Sequence, residues 1–300
     1  MKKILLHLDH DPQPSAFDQI AAYDSGVDRV IAYGGITPGN VQTQVYGAMF
    51  TRGPEDLKNT AIFIGGSDVA MAEEIFERVQ QTFFGPMRVS VMFDANGSNT
   101  TAAAAVAKIV SVVKDPAGKK AVVLAGTGPV GIRAAILLAG EGCQTYISSR
   151  QLLRSQEVCN RVQARFGAGL LPLQVDDDSS CQRALDGAAI VLCAGKLGVE
   201  LVKKEIWSNC PSLEVLADVN AVAPAGAEGI KATDNGKVRE GKTVFGAIGI
   251  GNTKMKVQRA AVASLFESND RVLDFQETYR IALRFCQPQH AQEQRVPGTP

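Results

Sequence analysis

Lys119-Lys120-Ala121-Val122-Val123-Leu124-Ala125-Gly126-Thr127-Gly128-Pro129-Val130-Gly131 decides the fold. The apolar run reads as a buried strand entering a G-x-G-x-x-G turn, and residues 132–140 read as the helix behind it. In that setting the first glycine permits a tight turn, the second lets backbone approach a pyrophosphate, and the third lets helix pack on strand. The helix N-terminus adds free N–H groups and the positive end of its dipole, which suit phosphates. The stretch predicts a dinucleotide-binding domain.

The next strand, 144–149, ends at Ser148-Ser149-Arg150. NAD-binding domains usually place an acid here, about 20 residues past the glycines, on the ribose 2′-hydroxyl. Two hydroxyls and a guanidinium suit a 2′-phosphate instead, which favours NADP over NAD. The alternative is that Arg150 is a solvated residue capping the next helix. Gln151 stands where a second cation could sit, so strict NADP use is not expected.

Elsewhere the chain alternates strand and helix patterns. Residues 4–9, 29–33, 60–64 and 88–93 read as strands. Residues 15–25 read as a helix capped by Ser15, 37–46 as one capped by Thr37 with Pro38 in its first turn, and 68–83 as a third. An Ala/Val-rich helix runs from about 99 to 113. Beyond the glycine turn, helices at 151–166 and 179–185 alternate with apolar strands at 170–175, 189–193, 213–217 and 243–248. Helices at 254–266 and 275–285 follow. This is an α/β protein: an N-terminal α/β domain over 1–100, then a Rossmann doubly wound parallel-sheet domain over 101–268, with a cleft between. A C-terminal helix, about 270–286, is expected to pack back on the first domain, and 287–300 is expected to be disordered.

Composition narrows the function. Of 300 residues, 31 are Lys or Arg and 31 Asp or Glu, giving zero net charge. With no basic run, nucleic acid and anionic membrane surfaces are not expected partners. No apolar run reaches the roughly 18 residues of a membrane span. The early Asp9 and Asp11 mark a strand end instead of a signal peptide. Six scattered cysteines without a C-x-x-C pair suggest reduced thiols and a cytoplasmic location. His7 and His10 beside Asp9 and Asp11 read as a strand-end turn, and no metal is expected.

Ligands of open α/β sheets bind beyond the carboxyl ends of the strands. The densest polar cluster at such an end is 94–101, whose amides and hydroxyls suit a polar heterocycle or, equally, a turn and helix cap. The base that alcohol oxidation needs is missing: the three histidines lie outside the nucleotide domain, and neither Tyr146 nor Tyr279 has a lysine four residues on. Oxidising a carbon between two nitrogens needs none, because their lone pairs stabilise the cation left behind. Lys254 and Lys256 lie two apart, so at most one of them can face a cleft.

These segments, with 14–18, 60–66, 83–86, 94–104, 121–131, 218–221 and 245–251, resemble the bacterial NADP-dependent methylene-tetrahydromethanopterin / methylene-tetrahydrofolate dehydrogenases over nearly all of 3–285. The resemblance implies hydride transfer from a methylene-tetrahydropterin to NADP, giving a methenyl cation, in one-carbon (formaldehyde) metabolism. It also implies an N-terminal pterin-binding domain and a homo-oligomer, a trimer. Carried over, cofactor contacts fall on Gly126, Thr127, Gly128, Pro129, Val130, Gly131, Ser148, Ser149, Arg150, Ala194, Asp218 and Asn220. Pterin contacts fall on Asp18, Asn96, Ser98, Asn99 and Thr100, with Lys256 positioning the pterin without transferring a proton. Two other readings remain: a shikimate- or amino-acid-type dehydrogenase, which calls for a Lys/Asp pair at facing strand ends that the sequence does not clearly supply, Lys108 and Asp94 being the nearest candidates, and a non-catalytic NADP sensor.

Overall fold

The computed structural model describes residues 1–286; the expected disordered tail lies outside the described residues. The elements run β1 (Ile4–Leu8), α1 (Ala16–Tyr23), β2 (Arg29–Tyr33), α2 (Gln42–Phe50), β3 (Thr60–Ile64), α3 (Val69–Thr82), β4 (Ser90–Phe93) and α4 (Ser98–Val112). They continue β5 (Lys120–Leu124), α5 (Pro129–Gly140), β6 (Gln144–Ser149), α6 (Leu152–Phe166), β7 (Leu171–Gln174), α7 (Asp178–Leu185), β8 (Ala188–Cys193), α8 (Lys204–Ser208) and β9 (Val215–Asp218). The hairpin β10 (Asn235–Arg239) and β11 (Lys242–Phe245), then α9 (Ala247–Ser264), β12 (Val272–Leu273) and α10 (Phe275–Cys286), complete the described chain. Two compact units result: Met1–Ala103 with Lys254–Ile281, and Ala104–Thr253 with the described chain from Ala282. The first unit thus takes part of α9, where the sequence reading carried the nucleotide domain to 268.

In the first unit five parallel strands lie in the order β12-β4-β3-β1-β2. Strand β3 is buried along its whole length, and Val69, Ala72, Ile75 and Val79 of α3 join the same core. Asp68 caps α3 by accepting from the amides of Ala70 (2.9 Å) and Met71 (3.1 Å). The order has one reversal point, between β1 and β3, where the connections leave in opposite directions.

The second unit holds seven strands in the order β10-β11-β9-β8-β5-β6-β7, all parallel except the β10–β11 hairpin. Without β10 this is the doubly wound order of dinucleotide-binding domains, reversing between β5 and β8. The turn from β5 to α5 is as tight as its glycines allow. A methyl on Gly131 would lie 2.4 Å from the Gly126 carbonyl oxygen.

Three local readings need correction. The helix expected at 37–46 begins later, at Gln42, because the Asn40 side chain accepts from the Thr37 amide (2.7 Å) and donates to the Gly35 carbonyl (3.1 Å), holding a turn there. The strand expected at 243–248 stops at Phe245, and the helix expected from 254 already starts at Ala247. Side-chain-free backbone at Gly246 and Gly249 passes so close to the carbonyls of Lys231 and Asp234 that a Cβ would lie 2.1 Å from either. Strands β10 and β12 went unread. The former is short and exposed and closes on Glu240 and Gly241, both left-handed (φ 45° and 73°).

Asp94 organises the junction from β4 to α4. One carboxylate oxygen accepts from the amides of Asn99 (2.9 Å) and Thr100 (3.0 Å), the other from the Thr100 hydroxyl (2.7 Å). Burial pushes this carboxyl up to about 6, against the opposing pull of the Lys254 cation and the Thr100 bonds.

Two outcomes follow from this packing. Gly131→Ala should cost about 1–3 kcal/mol by overpacking, while Gly140→Ala, at an open helical position, should be neutral or slightly stabilising; equal urea midpoints for the two variants would contradict the contact. Asp94→Ala should cost roughly 2–4 kcal/mol by orphaning buried donors. Because the folded carboxyl holds its proton to a higher pH than the unfolded one, its contribution makes stability fall as pH rises from about 4 to about 6. Asp94→Asn should remove that fall, as read from urea unfolding across the pH range.

Candidate functional site

The first unit carries a cavity of about 380 Å³ where β1 and β3 diverge. Asp9 and Asp11 reach it from the end of β1, Gly66 and Ser67 from the end of β3, and Asn96, Gly97 and Thr101 from the end of β4. Phe17 and Asp18 of α1 and Lys254 of α9 close it. The Lys254 ammonium donates to Gln258 Oε1 (3.0 Å) and lies 4.3 Å from the Phe17 ring centroid. Gln258, buried, donates in turn to Asp18 Oδ1 (2.9 Å). This chain of contacts fixes a cation and a carboxylate on one wall.

Beneath them His7 is buried, and that burial holds its imidazole below the ordinary value against the pull of the Asp18 and Asp9 carboxylates. The Asp9-His10-Asp11 group brings its ligand atoms within 4.8 Å of one another. The carboxylates and one ring nitrogen serve the turn: Asp9 accepts from the amides of Asp11 and Ser15, Asp11 from the Ser67 amide and hydroxyl, and His10 Nε2 from the Asp68 amide, while the buried His10 Nδ1 has no hydrogen-bond partner among the described residues.

The sequence-read substrate residues separate here. Asp18 and Asn96 line the cavity, and Asn96 holds a left-handed conformation (φ 51°) that exposes its side chain. Ser98, Asn99 and Thr100 are buried and bond within the β4–α4 junction: Ser98 donates to the Ala95 carbonyl, Asn99 to the Phe93 carbonyl, and Thr100 to the Asp94 carboxylate. Lys254 reaches the cavity, whereas Lys256 lies on the exposed face of the same helix. Thr101 belongs to the 94–101 cluster read from sequence, whereas Phe17 and Gln258 carry no such reading. The i,i+4 spacing of Lys254 and Gln258 was the available signal. The alternative pair is occupied: Lys108 donates to Asn235 Oδ1 (2.6 Å), and Asp94 is committed as described.

A second cavity, about 500 Å³, lies in the second unit at the carboxyl ends of β5, β6, β7 and β8. Leu124 and Ala125, Ser148 to Arg150, Asp176 to Asp178, Lys196 and Glu200 are among its lining residues. The Ser148 hydroxyl accepts from the Ala125 amide (3.0 Å), tying the glycine turn to β6, and Ser149 accepts from the Gln151 amide (3.4 Å). The Arg150 guanidinium has no hydrogen-bond or ion-pair partner among the described residues, so it is free for an anion.

The residues fit a dinucleotide. A Cβ on Gly128 would meet nothing within 4 Å, so the turn is open where a pyrophosphate approaches. Pro129 starts α5, leaving Val130 and Gly131 to present the first free amides. Ala194, Asp218 and Asn220 act on the loops around this sheet. The Ala194 amide donates to the Leu124 carbonyl (3.0 Å), and Asp218 accepts from the amides of Asn220 (2.9 Å) and Ala227 (3.2 Å). Asn220 accepts from the Gly198 amide (3.3 Å). Burial raises the Asp218 carboxyl above its ordinary value, against three backbone donors. Among the described residues, no helix is long and apolar enough to cross a membrane.

The family model described as "Methylene-tetrahydromethanopterin dehydrogenase, N-terminal" matches residues 16–96. Over 282 residues the chain is 48% identical to the "Bifunctional protein MdtA" of Methylorubrum extorquens, covering 94% of this chain and 98% of that protein. It is 32% identical over 282 residues to the "NAD(P)-dependent methylenetetrahydromethanopterin dehydrogenase" of the same organism, covering 91% of this chain and 95% of that one. Among solved structures, quinate dehydrogenase from Corynebacterium glutamicum in complex with NAD overlaps at a TM-score of 0.48 and 15% identity, covering 95% of this chain and all of that one. With two relatives matched almost end to end, the chain belongs to the methylene-tetrahydromethanopterin dehydrogenase family.

Proposed function

We propose that this protein catalyses reversible hydride transfer from a methylene-tetrahydropterin to NADP, leaving the methenyl cation, in one-carbon metabolism, with NAD as a weaker acceptor. The observation that carries the reading is the pairing, within a family member, of a polar cavity at the β1–β3 divergence with an open phosphate turn behind β5. NADP, when bound, supplies the nicotinamide carbon that accepts the hydride.

The chain's own residues would bind, orient and stabilise. The amide of Asn96 and the hydroxyls of Ser15, Ser67 and Thr101 offer donors and acceptors for the edge of a pterin. Lys254 offers a charged donor whose direction Gln258 and Phe17 fix. Asp9, Asp11 and Asp18 outnumber the single cation of that lining, and such an excess of carboxylates favours a substrate that becomes positive as hydride leaves. No proton has to move, which agrees with a positioning role for the lysine. The family resemblance assigned that role to Lys256, while the exposure of Lys256 favours Lys254. On the cofactor side, Arg150 would hold the 2′-phosphate, with the hydroxyls of Ser148 and Ser149 beside it.

The reading predicts an absorbance change at the nicotinamide band when enzyme, NADP and methylene-tetrahydromethanopterin are mixed, with methylene-tetrahydrofolate and NAD as comparisons. Absence of turnover with either pterin, in protein that binds NADP, would overturn it. Arg150→Ala should lower the NADP-to-NAD ratio of kcat/KM by about ten- to a hundredfold, the worth of one charge-assisted phosphate contact; an unchanged ratio removes Arg150 from the site. Lys254→Ala should raise the pterin KM about tenfold or more, whereas Lys256→Ala should leave it within about threefold. The reverse ranking would move the pterin contact to Lys256.

A further inference from the structure

The cofactor cavity contains a cation that neither the glycine turn nor the Ser148-Ser149-Arg150 segment accounts for. Lys196 stands in the loop after β8 and lines the same cavity as Arg150. Like Arg150, it has no hydrogen-bond or ion-pair partner among the described residues. Strand β5 lies between β6 and β8, so the two cations start from strands two spacings apart, about 10 Å, a span that two long side chains reaching over the same cavity can cover.

The Lys196 loop is held in place. A Cβ on Gly195 would lie 2.9 Å from Leu201 and 3.2 Å from Ala125, so this backbone presses on the glycine turn. The neighbouring Gly198 amide donates to Asn220 Oδ1. A cation on an anchored loop loses less freedom on binding an anion than one on a free loop.

The charges of the lining show why a second cation is needed. Asp176, Asp177, Asp178 and Glu200 share the cavity with Arg150 and Lys196. Part of that negative charge is engaged: Asp177 caps α7 through the Ser180 amide (2.6 Å), Asp176 accepts from the Ser180 hydroxyl and Gln174, and Asp178 pairs with Lys203. A 2′-phosphate brings nearly two further negative charges into this rim. Gln151, next to Arg150, supplies no charge to offset them. A cofactor without the 2′-phosphate has no such requirement.

We infer that Lys196 is a specificity-determining residue that, with Arg150, forms a two-cation clamp on the 2′-phosphate of NADP. The inference rests on the NADP reading above, and its test separates the two. Binding of adenosine 2′,5′-bisphosphate and of 5′-AMP, which differ only in the 2′-phosphate, is measured by titration calorimetry at fixed ionic strength, with no turnover required. Lys196→Ala should weaken the bisphosphate about tenfold and leave 5′-AMP unchanged, and Lys196→Glu should weaken the bisphosphate further. Adding Gln151→Lys to Lys196→Ala should restore most of the discrimination by returning a cation to the rim. Equal weakening of both ligands by Lys196→Ala would place Lys196 elsewhere on the nucleotide and overturn the clamp. Loss of discrimination in Arg150→Ala but not in Lys196→Ala would overturn the clamp and leave the NADP reading standing. No preference for the bisphosphate in the unmodified protein would overturn both.

Discussion

Both units are governed by one constraint on parallel sheets. When the connections from two neighbouring parallel strands leave toward opposite faces, no crossing element covers the carboxyl ends of that pair. Here the divergence falls between β1 and β3 in one sheet and between β5 and β8 in the other. A cavity lies at each. Strand order, more than any single residue, therefore sets where ligands can enter, and the side chains near those two strand ends decide which ligands they are.

The two cavities are held open by different means. Around β5 the work is done by absent side chains: Gly126 and Gly131 bring helix and strand to a distance that no methyl tolerates, so the amides of α5 face outward from a rigid base. Around β1 and β4 it is done by buried polar groups. Asp94, with its carboxyl raised by burial, gathers the first turn of α4, and the aspartates of the β1 end close their own turn. Buried carboxylates that are fully hydrogen-bonded rigidify a loop, whereas a half-satisfied set would loosen it. Accordingly Ser98, Asn99 and Thr100, which look like a ligand-binding cluster in sequence, bond within the β4–α4 junction, while Asn96 and Thr101 on either side of them line the cavity.

The cation positions follow the same logic. Lys254 is fixed by Gln258 one helical turn on and by the Phe17 ring, and Gln258 is itself fixed by Asp18. Lys256, two residues away, must point elsewhere, since a helix turns about 200° over two residues. In the second unit Arg150 directly follows β6, a position readable from the glycine spacing. Lys196 comes from a loop whose distance from the turn along the chain gives no hint of its nearness in space.

What the sequence determined by itself is what short-range rules encode. The glycine turn, the alternation of buried strands with amphipathic helices, the Ser15 cap and the Ser-Ser-Arg end of β6 are local patterns whose period or spacing carries their meaning. They were enough for the α/β class, the dinucleotide turn and the two-domain plan. Tertiary structure decided what depends on distant partners. The start of α9 depends on the carbonyls of Lys231 and Asp234, which only glycine can approach so closely. Strand β12 needs β4, some 180 residues earlier, to pair with. That Lys254 lines the β1–β3 cavity, beside Phe17 from far away in the chain, is likewise a tertiary contact. Such contacts leave no periodic trace in sequence, because each is a single meeting of two surfaces and not a repeat along one.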